Sequence, residues 1–166
     1  MSNSTLKTRN ASAQDKLALA FEAQDLLGFI SLLQDGRASQ LLAPYGLNQS
    51  QFTVLFLMSQ EPERSWTTTE LAEHMEMQLP GISKIVNQLL TAKLLKLGPA
   101  AIDKRKKQLS ISQAGRRKNT QVLTAMEPEI SRVFADWSMT ELAQFIGHLQ
   151  KLRDWLDRHR NVNDAE

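Results

Sequence analysis

The sequence predicts a mainly α-helical fold with one small β-hairpin (α+β), in which two short helices and the hairpin lie between long terminal helices. Three observations predict it. Apolar residues recur at steps of three and four over most of the chain, the period of helices with one buried face. Strict alternation is confined to Leu95-Lys96-Leu97 and Gln108-Leu109-Ser110-Ile111, the pattern of half-buried strands. Capping boxes, Thr67-x-x-Glu70 and Ser138-x-x-Glu141, stand at the head of two of the helical runs.

In chain order, residues 1–11 are polar and are expected to be disordered. Ser12 begins a helix on which Leu19, Ala23, Leu26, Ile30 and Leu33 repeat at alternating steps of four and three, a heptad seam. Leu17, Phe21, Leu27, Phe29 and Leu32 add apolar surface on other faces, so the helix requires cover on several sides, and a second subunit is the economical source. Gly36 costs about 1 kcal/mol in a helix interior, so a bend or break is expected there. Pro44-Tyr45-Gly46 ends the run. Asn48 caps a core-facing helix with Phe52, Leu55, Phe56 and Met58, and Trp66 packs beneath the next two helices. Thr67 opens the first of these, a short helix with Leu71, Ala72 and Met75 inside.

The helix from about Leu79 divides most clearly. Ile82, Ile85, Val86, Leu89 and Leu90 face inward, while Gly81, Lys84, Asn87, Gln88 and Thr91 face out with Ser83 on the flank. Pro80 suits a first helical turn, where its missing N–H costs nothing. The alternating strands come after it, joined by a turn beginning Gly98-Pro99 and a basic loop, Asp103-Lys104-Arg105-Lys106-Lys107, in which Asp103 can orient the Arg105 guanidinium. Ser112 caps a long helix that Pro128 should kink or break. Ser138 opens the last helix, with a stripe formed by Met139, Leu142, Phe145, Ile146, Leu149, Leu152, Trp155 and Leu156. Residues 161–166 are expected to fray. The organisation is thus a lobe over 48–112, framed by dimerisation helices over 12–47 and 113–160, with Leu19, Leu26, Ile30, Leu142, Ile146, Leu149, Trp155 and Leu156 as dimerisation residues.

Two short helices, a tight turn and a basic hairpin make a winged helix-turn-helix, a module that offers one helix to the DNA major groove and a loop to the backbone or minor groove. Charge supports this. The net charge is only +2, yet from Lys84 to Lys118 ten Lys and Arg stand against the single acid Asp103. Such segregation is either an electrostatic footprint for phosphates or a solvated basic face, and its position on the second helix and hairpin favours the footprint. An outward face of Lys, Asn, Gln and Ser can bond base edges and phosphates.

Composition sets the outer bounds. At 166 residues and 42% hydrophobic content the chain can bury a core as one domain. It holds no uninterrupted run of about 18 apolar residues and no secretory-signal pattern, so no membrane partner is expected and a cytoplasmic location follows. With no cysteine, disulfides, Cys-type zinc sites and thiol redox sensing are excluded. His74, His148 and His159 lack metal-ligand spacing, and neither a glycine-rich phosphate loop nor a nucleophile elbow occurs, so no metal, cofactor or enzymatic activity is expected. Core packing is the default for Trp66, Trp137 and Trp155; of these Trp137 could instead line an effector cavity.

The pattern Asp103-x-Arg105-x-x-x-Leu109-x-Ile111-Ser112-x-x-Gly115 resembles the wing and following helix start of the MarR family (multiple antibiotic resistance regulators). Pro44-Tyr45-Gly46-Leu47 with Gln51-Phe52 and Leu55, then Glu70-Leu71-Ala72-Glu73, then Ile82-Ser83-Lys84-Ile85-Val86 with Leu89, are similar to that family's second helix entry and its two reading helices. The resemblance covers roughly residues 26–156. It implies a homodimer with intertwined terminal helices that reads a pseudo-palindromic double-stranded DNA operator, most often as a repressor released by a small aromatic effector. By position, Pro80, Gly81, Ser83, Lys84 and Asn87 fall on the major-groove contacts and Arg105, held by Asp103, on the minor-groove arginine; Thr68, Gln88, Lys104, Lys106 and Lys107 complete the expected DNA-binding set. Three positions depart from the family pattern. Gln78 replaces a Ser or Thr cap, Gly81 a Ser or Thr donor, and Lys93 a glycine of positive φ. They motivate the alternative of a winged-helix adaptor or antirepressor whose DNA reading has decayed.

Overall fold

The computed structural model describes residues 3–98 and 108–160, with side chains from Ser12 onward. Its order is α1 (Asn3–Leu42), a 3-10 turn (Ala43–Tyr45), α2 (Gln49–Gln60), α3 (Thr68–His74), α4 (Leu79–Thr91), β1 (Leu95–Leu97), β2 (Leu109–Ile111), α5 (Gln113–Val133) and α6 (Met139–Arg158). The expected mainly helical fold with a two-stranded hairpin is what forms. Two compact units divide it, residues 1–125 and 126–166.

In the first unit the core lies under the helix-turn-helix. Leu42 from the end of α1, Val54, Leu55 and Met58 from α2, Leu71 from α3, Ile82, Val86 and Leu89 from α4, the strand residues Leu95, Leu109 and Ile111, and Val122 from α5 are all buried. Each helix start has a local cause. Asn48 and Gln51 close a reciprocal capping box on α2, and Thr67 and Glu70 close one on α3. Phe56, expected in the core, is instead 41% exposed, because Val54, Leu55 and Met58 take the inward arc of α2.

The strands pair antiparallel with Leu95 opposite Ile111 and Leu97 opposite Leu109. A third segment joins them: Trp66 donates its N–H to the Leu109 carbonyl (2.8 Å) and accepts the Leu109 N–H (2.7 Å). The residue preceding α3 is thereby sewn to the hairpin. The loop containing Asp103, Lys104, Arg105, Lys106 and Lys107 lies outside the described residues, as do residues 161–166; the hairpin is described as far as the Gly98 N–H donating to the Gln108 carbonyl (2.7 Å).

Three local expectations are corrected. α1 begins at Asn3 rather than Ser12 and passes through Gly36 without a break. Helix extension costs far less than nucleation, and neither Pro nor Gly stands between Asn3 and Ser12 to stop it. Likewise α5 continues through Pro128; the proline removes the one hydrogen bond to the Thr124 carbonyl, and its neighbours carry the helix on.

α1 is almost bare over Ser12–Gln40, with Leu19 66% and Leu32 70% exposed. By length and composition alone the helix over Ser12–Tyr45 is long and apolar enough to cross a membrane, although polar residues interrupt its apolar run. Glu22 and Asp25 stand inside that stretch, however, and each would cost about 3 kcal/mol at a bilayer centre. A protein partner would cover the same surface without that cost. In the second unit α6 starts on the capping box of Ser138 and Glu141 and buries no residue; Ile146, Leu149, Trp155 and Leu156 stay exposed and Leu142 is half-buried. Trp137 packs edge-on against Phe134 and Phe145, with ring centroids 5.6 and 5.1 Å away.

The exit from α4 is the tightest point. Ala92 caps the helix, Lys93 adopts φ 58°, and the Leu94 and Lys93 N–H groups return to the Leu89 and Leu90 carbonyls, both at 2.9 Å. This is a Schellman closure with lysine at the left-handed position that glycine usually fills. The Ser112 hydroxyl donates to the Lys93 carbonyl (2.7 Å) and accepts the Gly115 N–H (2.9 Å), so it caps α5 as expected and also clamps the turn. A Cβ on Gly115 would sit 2.2 Å from the Leu94 carbonyl oxygen and 2.9 Å from Ile111 Cγ1. We expect Gly115→Ala to lose at least about 3 kcal/mol in urea unfolding, since backbone must move, whereas Lys93→Gly should gain about 0.5–1 kcal/mol by relieving the left-handed strain.

Candidate nucleic-acid interface

α4 presents the candidate surface. Ile82, Ile85, Val86 and Leu89 are buried, which turns the opposite arc outward. Pro80, Ser83, Lys84, Asn87, Gln88, Thr91 and Ala92 line one shallow, open groove along that arc. The predicted Pro80, Ser83, Lys84, Asn87 and Gln88 are thus brought together on one strip. The side chains of Ser83, Lys84 and Asn87 make no hydrogen bond among the described residues, so their donors and acceptors remain available; the Thr91 hydroxyl is spent on the Asn87 carbonyl (2.9 Å).

The N-terminal end of α4 is closed less well than its neighbours. Gln78 occupies the cap position without a side-chain cap bond, the loss expected from the sequence. Gly81 has a specific neighbour: a Cβ there would lie 3.3 Å from the Met77 methyl, a tight contact with the end of a flexible side chain. The turn from α3 to α4 repeats the closure seen after α4. Glu76 takes φ 50°, and the Met77 N–H reaches the Ala72 carbonyl at 3.0 Å. The sequence offered no glycine to mark this left-handed position.

α3 supports α4 and is itself held at its start. Glu70 accepts from the Thr67 N–H (2.6 Å) and hydroxyl (2.8 Å). These bonds, with the Arg64 guanidinium 3.7 Å away, hold its carboxyl below the ordinary carboxylate value against a smaller opposing effect of burial. Arg64 also lies 3.8 Å over the Trp66 ring, and His74 meets that ring edge-on at 5.0 Å. Trp66 is fully buried and His74 is exposed, as expected. Thr68, in the first turn of α3, is half-buried.

Two cations of the basic segment have partners within the fold. Arg116 bonds the Pro62 carbonyl (3.1 Å) and Glu63 (3.3 Å), and Lys118 bonds the Tyr45 carbonyl (3.4 Å) beside its ring. These cations brace α5 against the loop before α3 and the 3-10 turn. Sequence reasoning also missed the role of Gln51, whose Nε2 donates to Gln88 Oε1 at 3.1 Å and links α2 to α4.

With this geometry in place, residues 45–106 match the MarR family model. This lobe is similar to the winged helix-turn-helix of that family. The matched family and fold are those of transcription regulators. Among curated sequences no relative matches. The fold is similar to that of a MarR-family transcriptional regulator from Rhodococcus sp. RHA1, at 22% identity and TM-score 0.70, over 81% of this chain and 95% of that one. It is similar to S. aureus MepR in a complex with DNA, at 19% identity and TM-score 0.68, over 79% and 94% of the two chains. An E. coli MarR mutant complexed with operator DNA aligns at 18% identity and TM-score 0.66, over 76% and 90%.

The Glu70 box carries a pH signature. A carboxylate whose folded pKa is lowered stabilises the fold above its unfolded value, near 4.5, and that stabilisation is lost as pH falls through the folded value. The Glu70→Gln variant should therefore lose less stability than the parent between about pH 5 and pH 3, as thermal melts across that range would register.

Proposed function

We propose that this protein is a MarR-type DNA-binding transcription regulator that reads a pseudo-palindromic operator as a homodimer, acting in the cytoplasm as a ligand-responsive repressor. The observation that carries the reading is the outward arc of α4, where Ser83, Lys84 and Asn87 stand together with side chains that make no hydrogen bond among the described residues, opposite the buried Ile82, Ile85, Val86 and Leu89. Lys84 and Asn87 would supply base and phosphate contacts, with Pro80, Gly81, Ser83, Gln88 and Thr68 beside them. Arg105 would enter the minor groove with Lys104, Lys106 and Lys107 on phosphates and Asp103 orienting it. The bare faces of α1 and α6, carrying Leu19, Leu26, Ile30, Leu142, Ile146, Leu149, Trp155 and Leu156, support the dimer, because apolar area of this extent is stable in water only when covered. The relatives solved with DNA support the choice of ligand. A small aromatic effector rests on the family resemblance.

The uncapped Gln78 and the missing side-chain donor at Gly81 favour a second reading, an adaptor or antirepressor that has lost sequence-selective binding. Selection of bound sequences from random DNA separates the two: salt-sensitive, sequence-selective retention excludes the adaptor, and its absence excludes the operator-binding regulator. In the first case half-sites should lie about 10 bp apart, and candidate aromatic acids can be tested as competitors of the selected DNA. Arg105→Ala and Lys84→Ala should each weaken binding by at least about 1 kcal/mol and reduce the salt slope by about 1. Sedimentation at micromolar concentration should give a dimer, and a monomer would contradict the assignment of α1 and α6.

A further inference from the structure

The outward arc of α4 includes one side chain whose hydrogen-bonding polarity is already decided by another helix. Amide oxygen and nitrogen are exchangeable in position unless a neighbour of known character distinguishes them. Here one does. The Asn48 backbone N–H can only donate, and it lies 2.9 Å from one terminal atom of Gln51, which must therefore be Oε1. The other terminal atom of Gln51 is then Nε2, which can only donate, and it lies 3.1 Å from the amide of Gln88. The Gln88 atom facing α2 is accordingly its oxygen, and its Nε2 makes no hydrogen bond among the described residues. The same groove holds Gln88 together with Lys84 and Asn87.

We propose that Gln51 is a positioning residue for DNA reading: through the α2 capping box it holds Gln88 with its oxygen engaged and its nitrogen free, so that Gln88 meets DNA as a hydrogen-bond donor. This rests on the DNA-binding reading above and adds the chemistry of one contact. Glutamine recognises adenine by using both amide atoms, accepting from N6 and donating to N7. With Oε1 held by Gln51 that pairing is weakened, and the complementary group is an acceptor: guanine O6 or N7, thymine O4, or a phosphate oxygen. The residue type at position 51 matters for the same reason. A glutamate there would close the same capping box on Asn48 but has no N–H for Gln88. Its carboxylate would instead take the Gln88 Nε2 and turn the oxygen toward DNA.

The test is a double-mutant cycle in the full-length chain, using DNA selected by the parent and read by fluorescence anisotropy, with melting temperatures recorded for every variant. Gln88→Ala should weaken binding about fivefold, the loss of one hydrogen bond. Gln51→Glu should weaken it at least as much with the melting temperature unchanged, and should cost at least threefold less when Gln88 is already alanine. Repulsion between a new carboxylate and DNA would persist in both backgrounds, so only the loss of additivity reports the turned amide. Loss confined to one base position assigns the acceptor to a base edge, and equal loss on every sequence assigns it to phosphate. The inference is overturned if Gln88→Ala binds like the parent or if Gln51→Glu costs the same in both backgrounds. A parent that retains no DNA defeats the DNA-binding reading itself, a result distinct from an additive cycle.

Discussion

The helix-turn-helix lobe depends on a close approach of backbone to backbone where α4 ends and α5 begins. The Ser112 hydroxyl bridges the Lys93 carbonyl and the Gly115 N–H, and the Ser112 N–H reaches the Leu94 carbonyl at 3.0 Å. Only a residue without Cβ can stand at Gly115, because the Leu94 oxygen already occupies that space. This joint sets where β1 leaves α4 and where β2 returns, and therefore how the outward arc of α4 is aimed relative to the hairpin. The cross-link from Trp66 to Leu109 does the same on the other side, tying the entry of α3 to the second strand. The exposed strip of α4 is thus held by main-chain contacts at both of its neighbours.

That rigidity comes with local strain of a consistent kind. Both turns that flank α4 close through a left-handed residue that is not glycine, Glu76 before it and Lys93 after it. Each costs about 1 kcal/mol relative to glycine, and each is retained by a pair of returning hydrogen bonds. The missing cap at Gln78 adds to this. A helix strained at both ends yet well anchored on its buried side presents its polar face by packing, not by helix propensity.

The electrostatics obey the same division. A count along the chain assigns the cations from Lys84 to Lys118 to one surface. In the fold they separate: Lys84 lines the open groove, while Arg116 and Lys118 are turned onto backbone carbonyls of the first unit. Exposed ion pairs such as Arg116–Glu63 contribute little stability, so these contacts orient α5 more than they hold it. Sequence distance carries no information about which way a cation faces, so only the fold distinguishes Arg116 and Lys118 from Lys84.

The sequence by itself determined the helical order, the hairpin, the capping boxes at Thr67 and Ser138, the cap at Asn48, and which side of α4 is buried. Those depend on periodicity and on contacts within four residues, which a linear string records. It also singled out Gly115 by pattern and Lys93 as an anomaly, without giving the cause of either. Only the tertiary structure decided the rest. The Leu94 carbonyl excludes a Cβ at Gly115, the Met77 methyl closes in on Gly81, Trp66 adds a third segment to the hairpin, and Gln51 reaches from α2 to Gln88 on α4. Each of these joins residues whose separation in space bears no fixed relation to their separation along the chain, and α1 passing unbroken through Gly36 shows the converse, a local penalty overridden by the cooperativity of the helix around it.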